Sequence, residues 1–234
     1  MAVILPASSR RNTPLMQHAT SVKAPQPRRA EIRPLDREQV RALFKVASGH
    51  RLEALFVVAV TAGLRQGELL GLRWEDVGLE AGTLQVRRTL SEARTGRIFE
   101  APKSGKGRQI RLTRKAAEAL RAHRKAQQEE SVKLAGLWQD QGLVFPSQVG
   151  TPLSDRNLIR TFRAHLRRAA LPATICFHDL RHTCATLLLR QGVNPKFVQE
   201  LLGHADVSLT LNVYSHVLPD MGDAAAGAMG DALE

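Results

Sequence analysis

Tyrosine is nearly missing from this chain of 234 residues: Tyr214 is the only one, and aromatic residues of all kinds make up 4% of the sequence. Chemistry that needs a phenol therefore has a single address. Cysteine is almost as scarce. Cys176 and Cys184 are the only two, too few for a disulfide scaffold or a cysteine zinc site, which points to a reducing, cytoplasmic setting. Long apolar runs are absent as well: the longest, from Ala54 to Leu64, is broken by Thr61 and Gly63 and falls short of the ~20 residues that cross a bilayer. The opening Ala2-Val3-Ile4-Leu5 stops at Pro6 with no basic segment before it, too short for a signal-peptide core. No membrane partner is expected. Acidic side chains are in deficit, 22 against 34 lysines and arginines, for a formal charge of +12. Such an excess is the footprint of a protein that binds polyanions, with nucleic acid the leading partner and a nucleoid association when bound.

The chain divides by composition. Residues 1–33 hold Pro6, Pro14, Pro25 and Pro27 with the basic pairs Arg10-Arg11 and Arg28-Arg29, and read as an extended, linker-like lead-in. Residues 34–216 read as one domain, and 217–234 as a tail. Asp36 with Gln39 forms a capping-box pattern before a helix over 37–47, and a largely apolar helix over 51–62 follows. Short alternating runs at 83–87, 97–100 and 108–112, punctuated by Pro102, Gly105 and Gly107, predict a small three-stranded antiparallel sheet. Helices return over 114–133 behind Thr113, 155–170 behind Ser154, 178–190, and from Asn194-Pro195 onward, and Ser208 opens a last short helix bearing Tyr214. The fold class is α+β, mostly helical. In the tail, Met221, Ala224, Ala225, Met229 and Leu233 form an apolar stripe interrupted by Gly222, Gly227 and Gly230, expected to pack on another protomer.

Five basic groups can serve the lone phenol. Arg65 follows Thr61-Ala62-Gly63-Leu64, where small residues permit a tight turn, and Glu68 lies one turn on to orient it; the same residues also read as a helix cap with a surface ion pair. His178 and Arg181 share one face at a helix start, the imidazole suited to a proton and the guanidinium to a fork on phosphate oxygens. His182, four residues after His178, suggests a metal pair, but no third ligand accompanies it and Asp179 stands where a zinc protease helix carries glutamate; a structural role suits it better. Lys103 lies in the basic turn Lys103-Ser104-Gly105-Lys106-Gly107-Arg108, whose glycines are too few and wrongly spaced for a Walker A loop. This turn reads either as a charged hairpin or as a device that swings an ammonium group into DNA, with Lys106, Arg108 and Arg73 as further backbone contacts. His204 follows Gly203 at a helix end, placed to donate to phosphate or to cap carbonyls. A free phenol ionises near pH 10, so Tyr214 needs such neighbours to attack at neutral pH. Together they suggest phosphoryl transfer to tyrosine.

In order and spacing, Thr61-Ala62-Gly63-Leu64-Arg65 with Glu68-Leu69, Lys103, His178-Asp179-Leu180-Arg181-His182, Leu201-Leu202-Gly203-His204 and Tyr214-Ser215-His216 resemble the catalytic set of the tyrosine recombinases, particularly phage-type integrases, over about residues 33–220. The resemblance implies a helical catalytic domain of the DNA breaking-rejoining type that forms a 3′-phosphotyrosyl link without metal, ATP or other cofactor. It implies that Arg65 and Arg181 clamp the nonbridging oxygens, His178 is the general base toward Tyr214, Lys103 (or Lys106) is the general acid, His204 donates to phosphate, and Glu68 positions Arg65. Double-stranded DNA is the implied partner, with a monomer in isolation and a homotetramer on paired sites. Family members usually carry a helical domain ahead of the catalytic one, and only the linker-like 1–33 stands there in this sequence. A type IB topoisomerase-like nicking-closing enzyme and a DNA-binding module without recombination activity are the alternative readings.

Overall fold

The computed structural model describes residues 33–93, 96–102, 107–214 and 229–233. The chain divides into Met1–Glu31 and Ile32–Glu234, and every described residue belongs to the second unit. The expected tail stripe lies mostly outside the described residues; Met229–Leu233 is a helical turn with Met229 and Leu233 exposed.

Before that turn, eight α-helices are found among these residues, and local chemistry sets most of their starts. In α1 (Arg37–Ala47) the capping box is complete, with Gln39 N donating to Asp36 Oδ1 at 2.8 Å and Asp36 N donating to Gln39 Oε1 at 3.0 Å. Helix α2 (Glu53–Ala62) buries every residue from Ala54 to Val60. A helix without a polar face must be central, and α2 packs against α1, α4 (Arg114–Leu134) and α6 (Asp179–Arg190). It ends at Gly63 in the left-handed region (φ 61°), where a Cβ would lie 2.7 Å from Leu202 Cδ2. Thr113 caps α4, Ser154 caps α5 (Asp155–Arg168), and Asn194 with Pro195 opens α7 (Pro195–Leu202). The last helix, α8 (Val207–Tyr214), starts differently from the sequence reading: Ser208 N donates to Asp206 Oδ1 at 2.9 Å, so the aspartate caps it. Between α2 and α4 lie α3 (Gln66–Leu70) and five strands.

The sheet needs a correction. Its strands are β1 (Val77–Gly78), β2 (Thr83–Val86) and β5 (Arg108–Arg111), antiparallel in the order β1-β2-β5, with Leu84 opposite Ile110 and both buried. The run at 97–100 is not a member. It forms β4 (Gly96–Glu100), which pairs with β3 (Thr89–Ala93) as a separate hairpin. The cause is an anchor at the end of β2. Arg88 donates to Asp76 at 2.8 Å and to Glu75 at 2.9 Å, which takes the chain out of the first sheet before β3 begins. The hairpin then rests on α3, where Gly67 and the capping Gly71 allow the backbone of Leu90 to approach.

At Gly67 an added Cβ would stand 2.7 Å from Leu90 O and closer still to Thr89 Oγ1. Replacing glycine by alanine inside a helix ordinarily stabilises by roughly 1 kcal/mol. Here the sign should reverse, because α3 and β3 must separate, and Gly67→Ala is expected to lower stability by about 1–3 kcal/mol. Urea unfolding of the two chains measures it.

Candidate active site

The site forms around the C-terminal end of α7. That helix stops at Gly203 (φ 65°), leaving carbonyls that lack intrahelical partners and carry the negative end of the helix dipole. Three arginines from three other segments take them. Arg108 Nε of β5 donates to Leu201 O at 2.8 Å, Arg181 Nη2 of α6 to Leu202 O at 2.7 Å, and Arg65 Nη2 to Gly203 O at 3.3 Å. Arg181 also donates from Nη1 to Gly63 O at 2.7 Å, the carbonyl at the end of α2.

Glu68 holds two of these cations together. Its Oε1 accepts from Arg65 Nη1 (2.9 Å) and Arg108 Nη1 (3.0 Å), and its Oε2 from Arg65 N (2.9 Å) and Arg108 Nη2 (2.7 Å). The residue is 2% exposed. Burial pushes its carboxyl up, but the Arg108 hydrogen bond and charge, followed by those of Arg65, outweigh this and leave it below its ordinary value. Arg181, also 2% exposed, is drawn down to about 9, first by burial and then by the nearby Arg65 charge.

Tyr214 closes the site from α8. It is 1% exposed, packs with Ala185, Leu189, Val198 and Leu202, and its hydroxyl lies 2.6 Å from His182 Nδ1. Burial pushes the phenol above its usual value. His182 is lowered to about 4 by burial and then by His178, whose ring stands edge-on at 4.9 Å. His204 is lowered to about 4 by burial and then by Arg181 and Arg65, and its Nδ1 is 2.8 Å from Thr210 Oγ1.

The structure thus brings Arg65, Glu68, His178, Arg181, His204 and Tyr214 into one cluster, with differences in partnership. The imidazole against Tyr214 is His182, where the sequence reading put His178. His178 is exposed at the cap of α6, one turn before the hydrogen-bonded ring. Arg108, expected on DNA, has three donors committed to Glu68 and Leu201 and its side chain is 10% exposed. Arg73 stands before the turn Trp74–Asp76, with its guanidinium 5.1 Å from the centre of the Phe99 ring. Lys103 and Lys106 lie outside the described residues. The sequence reading passes over Thr210 and over Gln199, which accepts from His204 N at 3.1 Å and donates to His204 O at 2.7 Å; neither carries a local signal.

Neutral histidines give the fold a pH dependence of definite sign. An unfolded histidine takes up its proton near pH 6.5, whereas His182 and His204 do so only near 4 when folded. Across that window the unfolded chain binds more protons, so stability falls as pH falls. Glu68 continues the trend: its lowered value gives stability present above the ordinary carboxylate range and lost as pH falls through the folded value. The urea midpoint should decline from pH 6.5 to 4.5, and the variant carrying both His182→Asn and His204→Asn should decline less steeply.

Known proteins resemble this chain in sequence and in fold. A tyrosine recombinase XerC-like protein of Caldanaerobacter subterraneus subsp. tengcongensis is 36% identical over 214 residues, covering 86% of this chain and 54% of that protein. Prophage integrase IntR of Escherichia coli K12 is 33% identical over 217 residues, covering 86% of this chain and 52% of its own. The chain spans about half the length of the curated relatives it matches. Among solved structures, the Tn1549 transposon integrase in complex with a circular intermediate DNA superposes with a TM-score of 0.71 at 23% identity, over 86% of this chain and 66% of that one. XerA recombinase gives 0.65 at 26%, over 85% of this chain and 65% of that one. The phage integrase family model matches residues 33–221, the span that holds every described part of the site, and the chain belongs to that family.

Proposed function

We propose that this chain is the strand-cleaving domain of a site-specific DNA recombinase that works through a 3′-phosphotyrosyl intermediate. One observation carries the reading: the only phenol of the chain is hydrogen-bonded to a neutral imidazole beside three arginines gathered on one helix end. Arginine forks at such a place suit a phosphate group, whose charge grows as a fifth ligand approaches phosphorus.

In the proposed reaction Tyr214 Oη attacks the scissile phosphorus and its proton passes to His182 Nδ1. The bond from phosphorus to the 5′-oxygen breaks, and Lys103 or Lys106 in the basic turn gives that oxygen a proton. Arg65, the more exposed of the two arginines at 29% of its side chain, meets the nonbridging oxygens together with Arg181. His178, exposed at the start of α6, is free to meet the phosphate as well, and His204 donates to it. Attack by the 5′-hydroxyl of another strand reverses these steps and rejoins DNA. Double-stranded DNA as partner, nucleoid association when bound, and a homotetramer on paired sites belong to the same proposal, supported by the relatives' names and by the +12 charge.

Incubation with nicked duplexes of randomised sequence, whose short cleaved fragment diffuses away, should leave protein covalently attached to DNA on a denaturing gel. Tyr214→Phe should bind DNA as before and form no adduct, because no other tyrosine can replace it. An adduct in that variant would sink the reading.

Arg65→Lys and Arg181→Lys should each slow adduct formation by on the order of 100-fold. A point-like ammonium keeps the charge but cannot reproduce the fork that meets a carbonyl or carboxylate and a phosphate together. Single-turnover rates at saturating DNA measure this apart from binding.

A further inference from the structure

Two side chains on α8 are buried one turn apart, Thr210 at 0% and Tyr214 at 1% exposure, and each is hydrogen-bonded to a histidine of another segment. The threonine bond differs from those of two other helical threonines, and buried Thr186 Oγ1 has no hydrogen-bond partner among the described residues. Thr61 and Thr183 each donate to the carbonyl four residues earlier, Val57 O at 2.8 Å and Asp179 O at 2.7 Å, the common habit of helical threonines. Thr210 makes no such bond; among the described residues its one hydrogen-bond partner is His204 Nδ1.

That partnership decides where the hydroxyl hydrogen goes. A neutral imidazole has one N–H and one lone pair. If Nδ1 carried the hydrogen, it would donate to Oγ1 and leave the threonine hydrogen buried without an acceptor, which costs free energy that the alternative does not. If the hydroxyl donates, both groups are satisfied and the ring hydrogen is on Nε2, which makes no hydrogen bond to the described residues. The choice matters because the charges of Arg181, Arg65 and Arg108, which bond the neighbouring carbonyls of Leu201, Leu202 and Gly203, act on His204. Their charge favours a bare lone pair on the ring, and a lone pair repels an anion.

Resting on the cleavage reading above, we propose that Thr210 is a positioning residue whose hydroxyl donates to His204 Nδ1 and fixes the ring hydrogen on Nε2. The phosphate donor is then in its working form only when the helix carrying Tyr214 is docked. Nucleophile and donor are thus set by the same contact surface of α8.

The test uses the full chain and three readouts. With the nicked randomised duplexes, Thr210→Val should form adduct about 10- to 100-fold more slowly at unchanged DNA affinity, and Thr210→Ser should restore most of the rate. In the His204→Gln background Thr210→Val should cost nothing further, because its effect passes through that ring. Nitrogen-15 spectra of histidine-labelled protein, with His204 identified by its loss in His204→Gln, should show Nε2 protonated and Nδ1 bare in wild type, shifting in Thr210→Val. A protonated Nδ1 in the wild type overturns the proposal, as does an undiminished penalty of Thr210→Val in the His204→Gln background. Absence of any wild-type adduct would remove the cleavage reading, while the spectra would still decide the hydrogen position.

Discussion

The organisation of this domain depends on the unpaired carbonyls at the end of α7. A helix C-terminus that stops inside a protein must find donors, and here the donors are guanidinium groups from β5, α6 and the residue before α3. Three segments far apart in sequence are therefore referred to one point. The carbonyls, with their share of the helix dipole, lower the cost of gathering like charges, and Glu68 neutralises one of them. Three guanidinium groups against one carboxylate leave a formal excess of two positive charges. Arg181 registers the strain, its pKa drawn down to about 9 by burial and by Arg65. An approaching anion relieves that strain, so the same crowding that burdens the free protein favours a bound phosphate group.

The histidines complement this arrangement by being neutral. A charged imidazole beside the arginines would add to their repulsion, and burial together with that charge holds His182 and His204 far below the ordinary value. Neutrality leaves each ring with one donor and one acceptor, and the hydrogen-bond partner decides which is which. His182 offers an acceptor or a donor to Tyr214 at 2.6 Å, and His204 faces Thr210 at 2.8 Å. In the proposed reaction the phenol proton passes to His182 as the phenol bonds to phosphorus.

What the sequence makes legible follows the range of the forces involved. Helix starts are local, and Asp36 with Gln39, Thr113, Ser154 and Asn194-Pro195 can be read within four residues of each helix. Strand partners are not local: the alternation at 97–100 shows a strand but says nothing of β3, and the ion pairs of Arg88 that divert the chain reach back 12 and 13 residues. Within the site, residue types and spacing identify the cluster, but not the partnership inside it. His178 and His182 share one helix face, and the choice between them is made by α8, which arrives 32 residues later. Arg108 in its basic turn reads as a solvent-facing cation because its carboxylate is 40 residues away.

The position of Tyr214 is itself a tertiary matter. Eight residues do not form a stable helix in water on their own, so α8 exists where it does because Tyr214, Thr210 and the apolar contacts with Ala185, Leu189, Val198 and Leu202 hold it. Tyr214 is nearly inaccessible in that position. For the phenol to meet a phosphate in the proposed reaction, the tyrosine side chain must turn while docked α8, His182 and the arginines stay in place. The proposed phosphotyrosyl link suits such an arrangement, since a nucleophile that captures a DNA strand must later return it to the same donors.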